Sequence, residues 1–299
     1  MDAPWLSQRE RGSRSAMRLM KWLALRCGRR AARLLLYPIC AYFLLFSPRA
    51  RAASREYLAR ALGRRPRLRD LWRLYFTFAA TILDRVYLLD GQFDRFDVDI
   101  RGLETLQRTL AAGRGCLLLG AHLGSFEVLR ALALLQRKVP INVVMYEDNA
   151  ANITEVLNAL QPEICSRIIV PGRMDTVLRI GECLARGEIV GMLGDRCAGS
   201  DKSVVCPFFG RNAALPQGPL LLAHSLRVPV VLFFGVYEGG ARYVVHFEPF
   251  CDDYPAGRAD RAAWVEQWTK RYAARLEHHC RLAPYNWFNF YDFWSGPPA

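Results

Sequence analysis

The sequence predicts a single α/β domain with a mixed, mostly parallel central sheet flanked by helices, preceded by an N-terminal membrane-anchor helix. Three observations predict this fold class. Beyond residue 95, short β-rich runs alternate with helical windows at βαβ spacing. The 299 residues, 52% of them hydrophobic, are enough to bury a large core. Positive charge is concentrated before the first predicted strand, so we divide the chain into a basic N-terminal region, 1–80, and an α/β domain, 81–299.

The net charge of +13 belongs to one end of the chain. Residues 1–80 hold 18 Lys and Arg against 4 Asp and Glu, whereas residues 81–299 hold 23 against 24. A protein that binds nucleic acid usually carries a basic face on its main domain, so we expect no nucleic-acid partner. A neutral domain behind a cationic leader instead indicates attachment to an anionic membrane surface.

Residues 17–46 read as a basic amphipathic helix that runs into an apolar stretch. Six basic side chains fall within about half of the helical wheel: Arg18, Lys21, Arg26, Arg29, Arg30 and Arg33. The uninterrupted apolar run at 34–46 has 13 residues and contains Pro38. As a helix it spans about 20 Å, less than a hydrocarbon core of about 30 Å. We therefore expect a monotopic or half-inserted anchor; a core helix hairpin and a signal peptide with a poor cleavage site at 47–51 are the alternatives.

The α/β domain has eight predicted strands and six predicted helices. The strand windows are residues 97–101, 115–121, 141–145, 167–170, 188–193, 203–209, 228–236 and 242–247. The helical windows are residues 103–112, 125–137, 152–160, 175–186, 217–226 and 258–281. Because helices form the crossovers, the centre of the sheet is expected to be parallel. The last two strands, joined by Glu238-Gly239-Gly240, predict an antiparallel hairpin.

The nine cysteines form no Cys-x-x-Cys pair and no short cluster with metal-ligand spacing. They are typical of reduced thiols in a cytosolic setting and indicate no metal site.

The best candidate for chemistry is the segment at 116–127, CLLLGAHLGSFE. An apolar strand ends, His122 occupies the turn, and Ser125 can cap a new helix whose first turn holds Glu127. Ligands bind at the carboxyl ends of strands in open α/β sheets. Because His122 lies before the helix begins, it can fold back onto Glu127, and the carboxylate would fix its tautomer and strengthen it as a base.

A histidine that merely caps the helix is the plain alternative for such a short pattern. Glycines at 120 and 124 favour a functional site, because they permit close approach of the backbone to a ligand. The helix N-terminus beside the histidine can also stabilise a developing oxyanion. No nucleophile accompanies the pair, so the substrate is expected to bring one, typically a hydroxyl.

The segment at 122–127 resembles the His-x4-Asp/Glu box of membrane-bound acyltransferases, in the Glu form of the lipid A biosynthesis (lauroyl/myristoyl-type) family of the lysophospholipid acyltransferase-like superfamily. A second block is also similar: GDR at 194–196, VVCPFFG at 204–210 and AALPQGP at 213–219. The leader and the aromatic tail at 284–294 fit as well, so the resemblance covers nearly the whole chain. Asp195-Arg196 stands where lipid A enzymes often have Asp-Gln or Asp-His, and this tail differs from theirs. Both departures are closer to a branch associated with aryl polyene-type products.

The resemblance implies a glycerolipid acyltransferase-like fold and an O-acyltransferase at the cytoplasmic face of the bacterial inner membrane. The enzyme would move a fatty acyl chain from an acyl-carrier protein or acyl-CoA thioester to a hydroxyl of a lipid acceptor. That acceptor would be a lipid A precursor or a different lipid such as an aryl polyene. His122 would act as general base and Glu127 as its orienter, with no metal and no cofactor. The basic leader would also attract an acidic acyl-carrier protein.

Seven further residues are expected to bind substrate: Gly124, Ser125, Arg173, Asp195, Arg196, Lys202 and Arg211. Asp195 and Arg196 follow a strand on the same side of the sheet as His122, and the cationic members can bind phosphate or carboxylate on the acceptor. A salt-bridged loop is an equally good interpretation of Lys202 and of Arg211. A catalytically silent lipid-binding factor is the alternative from another functional class. A membrane hydrolase is disfavoured, because the sequence offers no activated Ser or Cys.

Overall fold

The computed structural model describes residues 14–129, 139–145, 167–173, 175–197, 201–255, 257 and 260–294. Its strands are β1 (Asp97–Arg101), β2 (Cys116–Gly120), β3 (Ile141–Val144), β4 (Ile168–Ile169), β5 (Ile189–Leu193), β6 (Ser203–Phe208), β7 (Arg211–Pro216), β8 (Val230–Gly239) and β9 (Arg242–Cys251). The helices are α1 (Arg14–Phe46), α2 (Pro48–Leu62), α3 (Leu68–Leu89), α4 (Leu103–Ala111), α5 (Thr176–Ala185), α6 (Gly218–Leu226) and α7 (Asp260–Leu282). A short 3₁₀ turn, Phe93–Arg95, precedes β1.

Seven strands form one sheet in the order β1-β9-β8-β2-β5-β3-β4. Within it, β1 pairs with β9, β2 with both β8 and β5, and β3 with both β5 and β4, all in parallel. The pairing of β8 with β9 is antiparallel and closes at the glycine-containing turn. The predicted fold class, a mixed and mostly parallel α/β sheet with a hairpin near its end, is confirmed.

Both faces of the sheet are covered, which explains why its central strands are continuously apolar. Along β2, Leu117 and Leu119 point into one buried cluster, while Cys116 and Leu118 point into the other. Successive side chains of a strand alternate between faces, so a strand buried on both sides must be hydrophobic at every position. All five residues of β2 are buried.

From residue 14 onward, the N-terminal region forms α1, α2 and the first part of α3, which pack onto the domain. α1 departs from helical geometry at Gly28, where φ is +79°, and contains Pro38 in its second half. It is tied to α3 and β9 by Asp84, whose carboxylate accepts two 2.7 Å bonds from Arg29 and one of 2.9 Å from Tyr243. The predicted division at residue 80 stays a prediction, and it falls inside α3.

The second half of α1 leaves large apolar side chains exposed. They are Leu34, Leu35, Tyr37, Tyr42, Leu45 and Phe46. Among the described residues no single helix has both the length and the hydropathy to cross a bilayer. The bent pair Arg26–Phe46 and Pro48–Leu62, which meets at 95°, satisfies these criteria only when the two helices are taken together. Attachment to a membrane therefore stays a prediction.

Three features differ from the sequence prediction. The strand at 203–209 is not part of the main sheet, because β6 pairs antiparallel with β7, a strand that was not predicted. The last two strands are longer than expected, since β8 and β9 each extend over 10 residues. The predicted helix at 125–137 does not begin where expected, because residues 125–128 are not helical; residues 130–137 and the whole predicted helix at 152–160 lie outside the described residues.

Candidate active site

His122 and Asp195 lie together because two adjacent parallel strands end at the same edge of the sheet. Gly120, the last residue of β2, is in register with Leu193, the last residue of β5. A 3.0 Å hydrogen bond from the Gly194 nitrogen to the Gly120 oxygen extends this pairing. The next residues of each chain segment therefore emerge side by side at the carboxyl edge, where open α/β sheets bind ligands.

The Asp195 carboxylate binds both the ring and the main chain of His122. Oδ1 of Asp195 lies 2.8 Å from Nδ1 of the imidazole, and the His122 backbone N–H donates to both carboxylate oxygens at 3.1 Å. An ionised carboxylate can only accept, so the neutral ring donates from Nδ1 and carries its lone pair on Nε2. The His122 side chain is 29% exposed, which leaves it within reach of a substrate.

Asp195 is itself enclosed, with 1% of its surface exposed. Its Oδ2 accepts a 3.0 Å hydrogen bond from Nε1 of Trp287. Burial alone would raise the pKa of Asp195, but His122, Arg196 and Trp287 together lower that pKa to about 2. The carboxylate is therefore ionised at neutral pH and can stabilise an imidazolium beside it.

The pKa of His122 is lowered from its ordinary value of 6.5. Burial is the largest cause, and the positive charge of Arg196 acts in the same direction. Asp195 raises the pKa of His122, but by less than burial and Arg196 lower it. His122 is thus neutral near pH 7, the state that a general base requires.

Glu127 does not contact the imidazole as predicted. Its Oε1 forms a 2.5 Å ion pair with Nη2 of Arg85 from α3, and Ser125 Oγ donates to its Oε2 at 3.4 Å. Within the described part of the chain, no hydrogen bond joins Glu127 to His122. The physical reason is that the register of β2 and β5 places Asp195 beside Nδ1 of His122. Arg85 on α3 meanwhile forms an ion pair with Glu127.

Gly124 and Ser125 both contact the backbone of β8. Gly124 has φ of +72°, and a Cβ atom there would lie 1.9 Å from the oxygen of Gly235. The same oxygen accepts a 2.8 Å bond from the Ser125 nitrogen, and Ser125 is 4% exposed. The close backbone approach predicted for Gly124 is therefore to β8; substrate binding by these two residues stays a prediction.

A C-terminal segment, residues 286–288, runs antiparallel to the turn that carries His122. We call it the C-terminal strap. The nitrogen of Phe288 donates to the oxygen of His122, and the nitrogen of Gly124 donates to the oxygen of Asn286, both at 2.8 Å. Leu123 and Trp287 form the bridge between them. The strap is thus hydrogen-bonded on both sides of Leu123 to the turn that carries His122.

Arg196 connects the strap to the end of β5. Its Nη2 donates to the oxygen of Phe288 at 2.9 Å, and its guanidinium carbon lies 5.7 Å from the ring centre of Tyr291. Among the described residues its buried Nε has no hydrogen-bond partner. The Nε–H of Arg196 is therefore left to donate to another acceptor.

The remaining predicted cations lie apart from this pair. Arg173 is exposed in the turn after β4, and Lys202 is exposed before β6. Arg211 forms a 2.8 Å ion pair with Glu56 of α2. In the described ranges none of the three makes a hydrogen bond or ion pair with His122 or Asp195. Their role in substrate binding stays a prediction.

Two residues of the site were not singled out by the sequence. Arg85 gave no signal beyond being a charge within an apolar helix, whereas Trp287 belongs to the aromatic tail noted in the family resemblance. In the described part of the molecule, no group of three or more His, Cys, Asp or Glu side chains is arranged to hold a metal ion.

Comparison with known proteins identifies the family of the chain. No curated protein matches the chain significantly. Residues 22–295 match a family profile described as bacterial lipid A biosynthesis acyltransferase, and the match includes His122, Asp195 and the C-terminal strap. Such a family implies an acyltransferase with an acyl donor and a lipid acceptor. Because the match spans most of its length, the chain belongs to the bacterial lipid A biosynthesis acyltransferase family.

Proposed function

We propose that this protein is a membrane-associated O-acyltransferase in which His122 is the general base. It moves a fatty acyl chain from the thioester of an acyl-carrier protein or acyl-CoA to a hydroxyl of a lipid A precursor. The observation that carries the proposal is the 2.8 Å contact between His122 Nδ1 and Asp195, in a chain of this family. The contact leaves the Nε2 lone pair free for an acceptor hydroxyl.

In the proposed reaction the acceptor hydroxyl gives its proton to Nε2 of His122 as its oxygen attacks the thioester carbonyl carbon. A C–O bond forms, the tetrahedral intermediate collapses, and the C–S bond breaks. The imidazolium then returns the proton to the departing sulfur. The nucleophile is supplied by the acceptor, so the acyl chain passes directly from donor to acceptor.

Asp195 takes the role that the sequence assigned to Glu127. Its carboxylate holds the Nδ1–H tautomer and stabilises the imidazolium that forms during attack. Glu127 follows the same turn as His122, and its carboxylate is held there by Arg85 and Ser125. This pair of opposite charges, next to the base, orients the polar part of the acceptor.

Arg196 supports recognition of an anionic group. Its guanidinium lies close enough to lower the pKa of His122 and retains a buried Nε–H without a partner among the described residues. A phosphate or carboxylate on the acceptor, or the thioester oxygen as negative charge develops on it, can accept from this donor.

Membrane attachment is supported by the surface of the N-terminal helices. The exposed apolar side chains of α1 lie on the same helix as exposed Arg26 and Arg30. Such a surface buries its apolar groups in the acyl boundary while its cations contact anionic headgroups. We propose the cytoplasmic face of the inner membrane as its location, where an acidic acyl-carrier protein also meets the basic surface.

The acceptor is tested by comparing lipids from cells that express the wild-type protein or His122→Ala. A lipid A species heavier by one acyl chain in the wild-type extract alone supports the proposal. A mass gain on a different lipid, such as an aryl polyene, would overturn the proposed acceptor and support the proposed reaction. If neither extract contains an acylated product and the purified protein transfers no acyl chain, a lipid-binding role is correct instead.

A further inference from the structure

We propose that Trp287 is a positioning residue whose indole N–H, by donating to Asp195, holds that carboxylate in the orientation that fixes the His122 ring. The inference rests on the proposed function, because it concerns the working state of the same base. It goes further in assigning a role in catalysis to the C-terminal strap.

The hydrogen bonds of Asp195 are divided between its two neighbours. Oδ1 faces Nδ1 of His122 at 2.8 Å, and Oδ2 faces Nε1 of Trp287 at 3.0 Å. The His122 backbone N–H completes the set from the third side. Each oxygen thus accepts one side-chain hydrogen bond besides the shared backbone donor, so rotation of the carboxylate costs hydrogen bonds to a charged group. Its orientation toward the imidazole is therefore fixed by Trp287.

The indole is well placed to act as a fixed donor because its ring cannot move easily. Trp287 is fully buried and lies edge-on to three rings: Tyr57 at 4.8 Å, Phe208 at 5.4 Å and Phe293 at 4.9 Å between centroids. Edge-to-face contacts of this kind lock ring orientation. The N–H therefore points at Asp195 whether or not substrate is bound.

The main chain around Trp287 is anchored equally firmly. Asn286 binds the backbone nitrogen and oxygen of Tyr237 in β8, at 2.8 and 3.1 Å. The oxygen of Pro284 accepts a 2.9 Å bond from Tyr57. The strap is thus anchored to β8, the residues just before it are anchored to α2, and Trp287 is held rigidly beside His122 and Asp195.

The electrostatic surroundings make the role measurable. The charged groups that act on His122 are Asp195 and Arg196 after β5, and Arg85 on α3. Burial raises the pKa of the other titratable groups around Asp195, so they are neutral over the working range: Cys197, Tyr272, Cys280 and Tyr291. Removing the indole N–H frees the carboxylate of Asp195 to turn away from the imidazole, so the pKa of His122, which Asp195 raises, should fall.

The test compares Trp287→Phe with Trp294→Phe in the full-length protein. Each substitution removes one buried indole hydrogen bond, but that of Trp294 goes to the oxygen of Phe208 at 3.2 Å, away from Asp195. Transfer of radiolabelled lauroyl groups from acyl-carrier protein to a lipid A precursor is measured from pH 5 to 9, beside wild type and His122→Ala.

For Trp287→Phe we expect kcat to fall by about 10- to 100-fold with little change in KM. The acid limb of the pH profile should move to lower pH. Trp294→Phe should keep both the wild-type limb and a kcat within about twofold of wild type. A Trp287→Phe profile with an unmoved limb, or one that Trp294→Phe reproduces, overturns the inference while leaving His122 as base. Absence of transfer by the wild-type protein overturns the proposed function and the inference together.

A second comparison separates positioning from loss of packing. If Trp287 acts through Asp195, then Trp287→Phe should change kcat in an Asp195→Asn background by less than about twofold. Additive losses overturn the inference. Should Trp287→Phe not yield folded protein, Trp287→Met, whose flexible side chain fills irregular gaps, carries the same expectation.

Discussion

Nδ1 of His122 lies 2.8 Å from Oδ1 of Asp195, although 73 positions separate the two residues in the chain. Glu127, only five positions away, is instead paired with Arg85 of α3. The pairing of β2 with β5 decides this arrangement, because residues that follow parallel strands in register must emerge as neighbours. The carboxylate that contacts the imidazole therefore follows the adjacent strand and does not come from the same turn.

Replacing Asp195 with Asn should lower kcat by about 10²- to 10⁴-fold, because an amide no longer enforces the Nδ1–H tautomer. Asp195 also raises the pKa of His122, so its loss should move the acid limb of the kcat/KM profile to lower pH. Glu127→Gln should leave that limb in place, whatever it does to the rate, since Glu127 does not contact the ring. The pH profiles of the two variants show which carboxylate acts on the imidazole. A limb that moves with Glu127→Gln and stays with Asp195→Asn would establish Glu127 as the partner of the working base.

The acid limb of the wild-type kcat/KM profile should have its midpoint below pH 6.5. The pKa of His122 is lowered by burial and by Arg196, so the neutral, basic form is already the major one at pH 6.5 and disappears as pH falls through the lowered value. Initial rates at subsaturating acceptor, from pH 5 to 8, check this prediction. An inflection above pH 6.5 that is lost in His122→Ala would contradict it.

Asp84→Asn should lower the free energy of unfolding by about 3–5 kcal/mol, because it leaves Arg29 buried without its counter-charge. The pair is largely enclosed, with side chains 13% and 0% exposed. Denaturant unfolding in detergent provides the measurement. Asp99→Asn is the matched control, since its pair with Arg101 is exposed and should change the same quantity by less than about 1 kcal/mol. Equal effects of the two substitutions would rule out the structural role assigned to Asp84.

Leu45→Glu should weaken binding to vesicles that contain phosphatidylglycerol by about tenfold or more. The side chain is 68% exposed on α1, and burying a leucine contributes about 1.5–3 kcal/mol to membrane binding. Cosedimentation with vesicles measures the effect. Val205→Glu, which places the same charge at an exposed apolar position of β6, should bind as wild type does. Identical losses for both would mean that α1 is not the attachment surface.

The central strands of the main sheet could be predicted from the sequence because they are short apolar runs, and β1 because polar and apolar residues alternate along it. β1 has the predicted bounds, and β2 and β5 lie within one residue of theirs. β7 could not be predicted, since RNAALP has no regular alternation and forms a strand only by pairing with β6. Whether these residues form a strand depends on the neighbouring strand, and the local sequence pattern does not show which strand that is.

The same limit applies to the site. His122 and Asp195 could each be placed at a strand end, because a strand end is a local feature of the sequence. Their contact could not, because it depends on which strands are neighbours and in what register. Trp287 was the hardest to foresee: its position beside Asp195 depends on the strap returning 92 positions later in the chain.

The central claim, that His122 is the base of an acyl transfer, is tested most directly with purified wild-type and His122→Ala protein, radiolabelled lauroyl-acyl-carrier protein and a lipid A precursor. The wild-type protein should transfer label to the lipid. His122→Ala should lose this activity by at least about 10²- to 10⁴-fold while binding vesicles and unfolding as wild type does. Transfer by folded His122→Ala at the wild-type rate would contradict the account.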